Sequence, residues 1–256
     1  TGKKKMVAMK GSYHGKSMGA LSLTFNPKYR ESFQPLVEKV SFSPYGDVGA
    51  LHDIVDKDTA FVILEPIQGE SGIHVPPEGF LQEVRKTCDE NDSLLIFDEI
   101  QSGLGRTGSM WASEHWKTVP DIMCLAKGIA GGVPMGVTLV RPDILSVMKK
   151  GEHSSTFGGN PLACAAGTAT LQALTQDGLI ENAKSMGDKL SNGLEELKSK
   201  HAIIREVRGK GLMIGVELKF EVKDILMEGI KNGLLLLYSG RYILRFLPPL
   251  VISEED

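Results

Sequence analysis

Asp121-Ile122-Met123-Cys124-Leu125-Ala126-Lys127-Gly128 decides how the rest of the chain is read. Its apolar run gives way at once to an amine and a glycine, which predicts a short buried strand ending on Lys127. In open α/β sheets, ligands collect outside the carboxyl ends of the strands, where a lysine serves chemistry rather than packing. Upstream, Ser93-Leu94-Leu95-Ile96-Phe97 is a second such run, and it ends on Asp98 and Glu99. An amine and a carboxylate are therefore expected at the same edge of one sheet.

Working outward from this pair, strands are predicted over 6–9, over 61–64 with Glu65 at the end, and over 136–140. Residues 80–91, preceded by Pro76 and Pro77, predict a helix. Helical spacing returns over 162–174, and 179–197 predicts a long amphipathic helix with Ile180, Ala183, Met186, Leu190, Leu194 and Leu197 on one face. Strands and helices in turn, with glycine at the junctions, predict an α/β fold whose largely parallel sheet is covered on both faces. Beyond Arg208-Gly209-Lys210-Gly211 the pattern changes to a strand at 212–216, a helix over 222–231, and strands near 234–238 and 242–246. This reads as a smaller α+β domain joined near 158–161. The expected division is 1–158 for the large domain and 159–256 for the small domain with its linking helix. A cleft between two such domains is a usual place for a small-molecule site.

Composition narrows the function class. An apolar fraction of 41% and a charged fraction of 24% describe an ordinary soluble protein. A net charge of −3 makes no case for nucleic acid or an anionic membrane. Cys88, Cys124 and Cys164 form no CxxC pair, which points to a reducing compartment, the cytoplasm by default. The histidines show no HExxH or similar spacing, so no metal site is expected. Both ends read as cut: Thr1 leads almost directly into a strand, and Ser253-Glu254-Glu255-Asp256 has the pattern of a helix N-terminus. The chain is therefore expected to be a segment of a longer protein.

Two chemistries compete for the Asp98 and Lys127 pair. Pyridoxal phosphate enzymes need a lysine to form a Schiff base and an acid to keep the pyridine nitrogen protonated, so that the ring can accept electrons. Alternatively, Gly103-Leu104-Gly105-Arg106-Thr107-Gly108 fits a GxGxxG dinucleotide fingerprint, with Asp121 as the ribose acid. Against the second reading, Asp98 and Glu99 would put negative charge beside a pyrophosphate. Asp121 also begins a strand, whereas a ribose acid should end one. The glycines are then expected to make a tight turn after the Asp98 strand. Residue by residue, plainer readings also stand: Lys127 as a surface lysine near a turn, Asp98 as a cap, Tyr13 as a core aromatic.

From Lys10 to Leu250 the chain resembles class III, ornithine-type aminotransferases, pyridoxal phosphate enzymes of fold type I. The resemblance is carried, in order, by Tyr13-His14-Gly15, Glu65-Pro66-Ile67-Gln68-Gly69-Glu70-Ser71-Gly72, Asp98-Glu99-Ile100-Gln101-Ser102-Gly103, Gly105-Arg106-Thr107-Gly108, Ala126-Lys127-Gly128, Ser155-Thr156-Phe157-Gly158-Gly159-Asn160-Pro161 and Leu244-Arg245-Phe246. It implies Lys127 as the Schiff-base lysine and proton carrier, Asp98 as partner of the pyridine nitrogen, Gln101 at the phenolic oxygen and Tyr13 on the ring face. His14 falls among the cofactor-facing residues, with a hydrogen-bonded structural histidine as the alternative. Ser155 and Thr156 resemble the pair that reaches the cofactor phosphate of a neighbouring subunit, which implies a homodimer with shared active sites. Arg245 resembles the arginine that grips a substrate carboxylate. Glu70 resembles the switch that pairs with that arginine when a terminal amine must react, and Glu65 is placed with the substrate-contacting residues. A structural Glu70–Arg245 ion pair is the alternative.

The closest flavour is the acetylornithine and acyl-lysine branch, which includes archaeal enzymes acting on carrier-bound substrates. It implies transfer of the terminal amine of an N-acylated diamino acid to 2-oxoglutarate in arginine or lysine biosynthesis, with an amino-group carrier protein as a further partner. Ornithine or 4-aminobutyrate aminotransferase remains open, as does, from another class, a non-catalytic dimerising fragment. Two departures stand out. Lys16 occupies a position where many members carry arginine, and the Ser-Gly-Thr-Glu-type phosphate segment expected before residue 1 is absent from the sequence.

Overall fold

A computed structural model describes all 256 residues. Six strands form the first sheet: β1 (Lys5–Met9), β2 (Val40–Ser43), β3 (Thr59–Leu64), β4 (Leu94–Asp98), β5 (Ile122–Leu125) and β6 (Val137–Val140), in the order β2-β1-β3-β4-β5-β6. All neighbours run parallel except β6, which pairs antiparallel with β5. Parallel neighbours share one carboxyl edge. The ends of β1, β3, β4 and β5 therefore deliver Tyr13, Glu65, Asp98 and Lys127 to the same side of the molecule.

Alternation along the strands sorts the core. Val7 and Met9, Val62 and Leu64, and Leu95 and Phe97 are fully buried on one face. After β1 come two short helices, α1 (Met18–Leu23) and α2 (Pro27–Arg30); the packed face is covered by α3 (Val48–Ile54) and α4 (Phe80–Glu90). In α4 the buried residues Phe80, Leu81, Val84, Thr87 and Cys88 recur at helical spacing and meet that face. Each large side chain there contributes roughly 1.5–3 kcal/mol by leaving water. The expected cover is complete on this face and partial on the other, where Ala8 and Ile63 are buried. On the opposite face, Phe61, Ile96, Ile122 and Cys124 stay half-buried, and this is the face to which Asp98 belongs.

After the short α5 (Pro142–Leu145), α6 (Pro161–Gln176) starts from Asn160, whose Oδ1 accepts from Ala163 N–H at 3.0 Å. Gly178 separates it from α7 (Leu179–Lys200). The second sheet, β7 (Ile204–Lys210), β8 (Met213–Leu218), β9 (Leu237–Ser239) and β10 (Ile243–Phe246), is antiparallel in the order β7-β8-β10-β9, with α8 (Lys223–Lys231) between β8 and β9. The strand expected over 234–238 starts only at Leu237, and Leu235 is exposed.

The two sheets are not loosely tethered. Met213 of β8 is buried in the core of the first sheet. Arg106 Nη1 donates to the carbonyls of Leu212 and Pro248, and Arg208 Nε donates to Gly72 O at 2.9 Å. Three backbone segments meet at glycines: a Cβ on Gly187 of α7 would fall 2.3 Å from Gly211 C, and one on Gly211 would fall 2.4 Å from Thr107 C. Only hydrogen fits at these contacts, so α7, the β7–β8 turn and the 103–108 turn lie backbone against backbone.

Candidate active site

Lys127 follows β5 in a single 3-10 turn (Lys127–Ala130) and has φ +48°, a left-handed conformation unusual for a side chain of this kind. Burial lowers its amine's pKa below the ordinary lysine value, against the opposing pull of the Glu70, Asp98 and Glu65 carboxylates. These residues, with Tyr13, His14, Gly15, Ile100 and Gln101, line a cavity of about 90 Å³. It adjoins a cleft of about 510 Å³ that shares Glu70, Ile100, Gln101 and Lys127 with it and adds Arg245 and Arg106. The cleft is within the size range of small-molecule sites.

Asp98 is buried, and its Oδ2 lies 2.8 Å from His14 Nδ1. An ionised carboxylate only accepts, so Nδ1 carries the proton, and His14 Nε2 is left buried without a partner. The other oxygen, Oδ1, accepts from Ile100 N–H at 3.1 Å. Glu65 is fully enclosed: Oε1 accepts from Tyr13 N–H and Oε2 from Gly69 N–H, each at 3.0 Å. Burial raises its pKa to about 7.

Glu70 Oε1 accepts from Arg245 Nη1 at 2.7 Å and from Gln101 Nε2 at 3.1 Å. Burial pushes this carboxyl up, but the Arg245 and Gln101 bonds outweigh it and hold it below the usual range. Gln101 Oε1 remains buried and unpartnered. It fits because Gly69 has no side chain: a Cβ there would sit 2.1 Å from that oxygen. Tyr13 packs edge-on against Tyr29 with ring centroids 5.6 Å apart, and burial, then Glu70, raises its hydroxyl pKa.

The Aminotransferase class-III family profile matches residues 1–256. The chain belongs to that family. It is 46% identical over 253 residues to the acetylornithine aminotransferase of Caldanaerobacter subterraneus subsp. tengcongensis, covering 98% of this chain and 64% of that protein. A Sulfolobus acidocaldarius relative named [LysW]-aminoadipate semialdehyde/glutamate semialdehyde transaminase is 42% identical over 256 residues, covering 100% of this chain and 66% of its own. Among solved structures, the ornithine aminotransferase of Toxoplasma gondii ME49 superposes with a TM-score of 0.96 at 37% identity, covering 100% of this chain and 62% of that one. The chain thus spans just under two thirds of the length of these relatives. The α/β fold of the pyridoxal phosphate aminotransferases is the one seen here, with the strand pattern expected for its large sheet.

Ser155 and Thr156 are exposed and line neither cavity in this chain. Lys16 lies over the Tyr29 ring, 5.1 Å from its centroid. Glu99, next to Asp98, turns away from the site and accepts from Ala112 N–H, Ser113 N–H and Ser102 Oγ. The dinucleotide reading of the glycines fails on two counts. Asp121 is consumed by Arg85, Arg141 and Leu95 N–H, and the first helical turn after Gly108 is the short 3-10 turn Ala112–Trp116, not the helix that would receive a pyrophosphate. Two relationships escaped the sequence, His14 with Asp98 and Gln101 with Glu70. No spacing signal marks either, since the partners lie 84 and 31 residues apart.

Proposed function

We propose that the protein is a pyridoxal phosphate-dependent aminotransferase that moves the terminal amine of an N-acylated diamino acid, acetylornithine or an acyl- or carrier-bound lysine, to 2-oxoglutarate, giving a semialdehyde and glutamate. The observation that carries this reading is the Lys127 amine, with its lowered pKa, in one cavity with buried Asp98 and unpartnered Gln101 Oε1. That set of groups fits the cofactor: an acid for a ring nitrogen, an amide oxygen to accept from a phenolic hydroxyl, an amine for a carbonyl carbon. Pyridoxal phosphate, when bound, supplies an electrophilic carbon for the amine and a ring that stores the electron pair released at the substrate's α-type C–H bond.

The chain's own residues do the rest. Lys127 Nζ carries the proton from one carbon to the other, a task for which a lowered pKa suits it. Asp98 holds negative charge at the base of the cavity, and His14 fixes its orientation through the Nδ1–Oδ2 bond. Tyr13 offers its ring as a face for an aromatic group. Glu70 occupies Arg245 while a substrate presents its terminal amine, and releasing it exposes the guanidinium to a dicarboxylate in the second half-reaction. Glu70 and Arg245 thus form the substrate side of the cavity.

Ser155 and Thr156, exposed beside the exposed Phe157, support a homodimer in which they reach the phosphate of a neighbouring copy's cofactor. The division into a large domain, 1–158, and a small one, 159–256, follows the two sheets, and a cytoplasmic setting accords with three free cysteines. No helix is long and apolar enough to cross a membrane. The [LysW] relative's name supports testing a carrier-bound donor as well as free acetylornithine.

The test is borohydride reduction of cofactor-treated protein followed by peptide mapping. The expected result is a reduced pyridoxyl adduct on Lys127; no adduct, or label scattered over surface lysines, would overturn the enzyme reading. Competition among acetylornithine, ornithine and 4-aminobutyrate then separates the donors.

A further inference from the structure

We propose that Glu65 does not contact substrate but is a positioning residue, whose one carboxylate holds the Tyr13 loop and the Glu70 loop in register. The loops leave different strands: 12–15 follows β1 and 69–72 follows Glu65 itself at the end of β3. Glu65 Oε1 takes the N–H of Tyr13 and Oε2 takes the N–H of Gly69, one residue before Glu70, each at 3.0 Å. Both oxygens are committed to backbone, and the side chain is buried. A residue so placed acts on the reaction through the segments it anchors.

The residue type is telling. Two converging N–H groups require two acceptors, which a carboxylate has and an amide lacks, because glutamine would turn its NH₂ toward one of them. Burying a carboxylate is costly, so a glutamate here is kept for what it orders. Gly69 belongs to the same arrangement, since Gln101 packs where its side chain would be, 2.1 Å from the position of an added Cβ.

The same geometry makes the register conditional. A proton on Glu65, free to sit on either oxygen, would place an O–H against one N–H donor or the other, so that neither loop would be held continuously. The charged and titratable groups facing it are His14, which favours the ionised form, Asp98, which opposes it, and Tyr45 and Lys127, whose own pKa values respond to its charge. Its own pKa near 7 places that release within the working range.

The inference rests on the aminotransferase reading only for its kinetic arm. Hydrogen exchange of the cofactor-loaded wild type, corrected for intrinsic rates, is expected to show the peptides containing Tyr13 and Gly69 gaining protection together as pH rises through about 7. In Glu65→Gln, at least one of the two is expected to stay unprotected at every pH. In the same variant, kcat/KM at pH 8 should fall on the order of tenfold, with loss of the wild-type acid limb near 7. Wild-type protection of both loops in Glu65→Gln, or kcat/KM within about twofold of wild type with the limb intact, would overturn the proposal. If the variant does not accumulate, the wild-type exchange profile decides, and two loops opening independently would sink the idea. Failure of trapping at Lys127 would remove the kinetic arm and leave the exchange result standing on its own.

Discussion

Arg245 Nη1 and Glu70 Oε1 are 2.7 Å apart, joining β10 of the second sheet to the loop after β3 of the first. The bond spans 175 residues and closes one side of the cleft that Lys127 lines. Arg245 Nε is buried without a partner, so the guanidinium has donor capacity that Glu70 does not use. Glu70→Ala would free it for an α-carboxylate at all times. A charge-assisted hydrogen bond is worth roughly 1.5–3 kcal/mol, so selectivity for a terminal amine over an α-amine should drop by about 10- to 100-fold. Paired kcat/KM values for acetylornithine and glutamate as donors would measure this, and unchanged selectivity would assign the pair a structural role only.

Arg245→Lys keeps the charge and loses the fork. With no planar pair of N–H groups to offer a carboxylate, KM for 2-oxoglutarate should rise by at least about tenfold, with a smaller change for the amine donor. Steady-state kinetics with each substrate varied in turn would show the asymmetry.

His14→Phe would leave buried Asp98 with Ile100 N–H as its one remaining hydrogen-bond partner. Losing a partner from a buried carboxylate costs roughly 1–3 kcal/mol, and the variant should unfold at lower urea with an unchanged m-value. Cofactor absorbance at fixed concentration should fall as well. Unaltered stability and spectrum would make the histidine a bystander.

Glu65 also has a signature in stability. Its folded pKa, about 7, lies above its ordinary value of 4.5. Between these values the folded state holds the proton more tightly than the unfolded one. Its contribution is therefore fully present below about 4.5 and is lost as pH rises through 7, on the order of 3 kcal/mol in all. Denaturation across that window should show wild type losing ground to Glu65→Gln as pH rises, with the difference flat above it.

Gly211→Ala should be among the most damaging single changes outside the site. The residue has φ +51°, and an added Cβ would meet backbone of Thr107 and Gly108 rather than a flexible side chain. A loss of roughly 2 kcal/mol or more is expected from strain and displacement together, readable as a shift in the urea midpoint.

Much of this molecule was legible in its sequence because buried strands betray themselves. The runs that became β1, β3, β4 and β5 are apolar and short, and Asp98 and Lys127 stand at their ends as expected. β2, Val-Ser-Phe-Ser, is too brief and mixed to announce itself, and β7, Ile-Arg-Glu-Val-Arg-Gly-Lys, resembles a loop. Its charges are satisfied across the sheet, where Arg205 and Arg208 both pair with Glu217 on β8. That compensation exists only once the strands are adjacent. The reversed direction of β6 was hidden for a similar reason, since an apolar run has no polarity of its own. In the site, residue types were readable but pairings were not, because tertiary structure alone brings His14 to Asp98 and Gln101 to Glu70.

Lys127 combines a left-handed backbone with an amine whose burial disfavours its charge. Glycine or asparagine would accept that backbone more readily, and neither would bring a buried cation. A library of this protein sorted for heat resistance alone would therefore drift toward replacing residue 127. Under the proposed function, selection for turnover holds this position against the direction in which folding by itself would take the sequence.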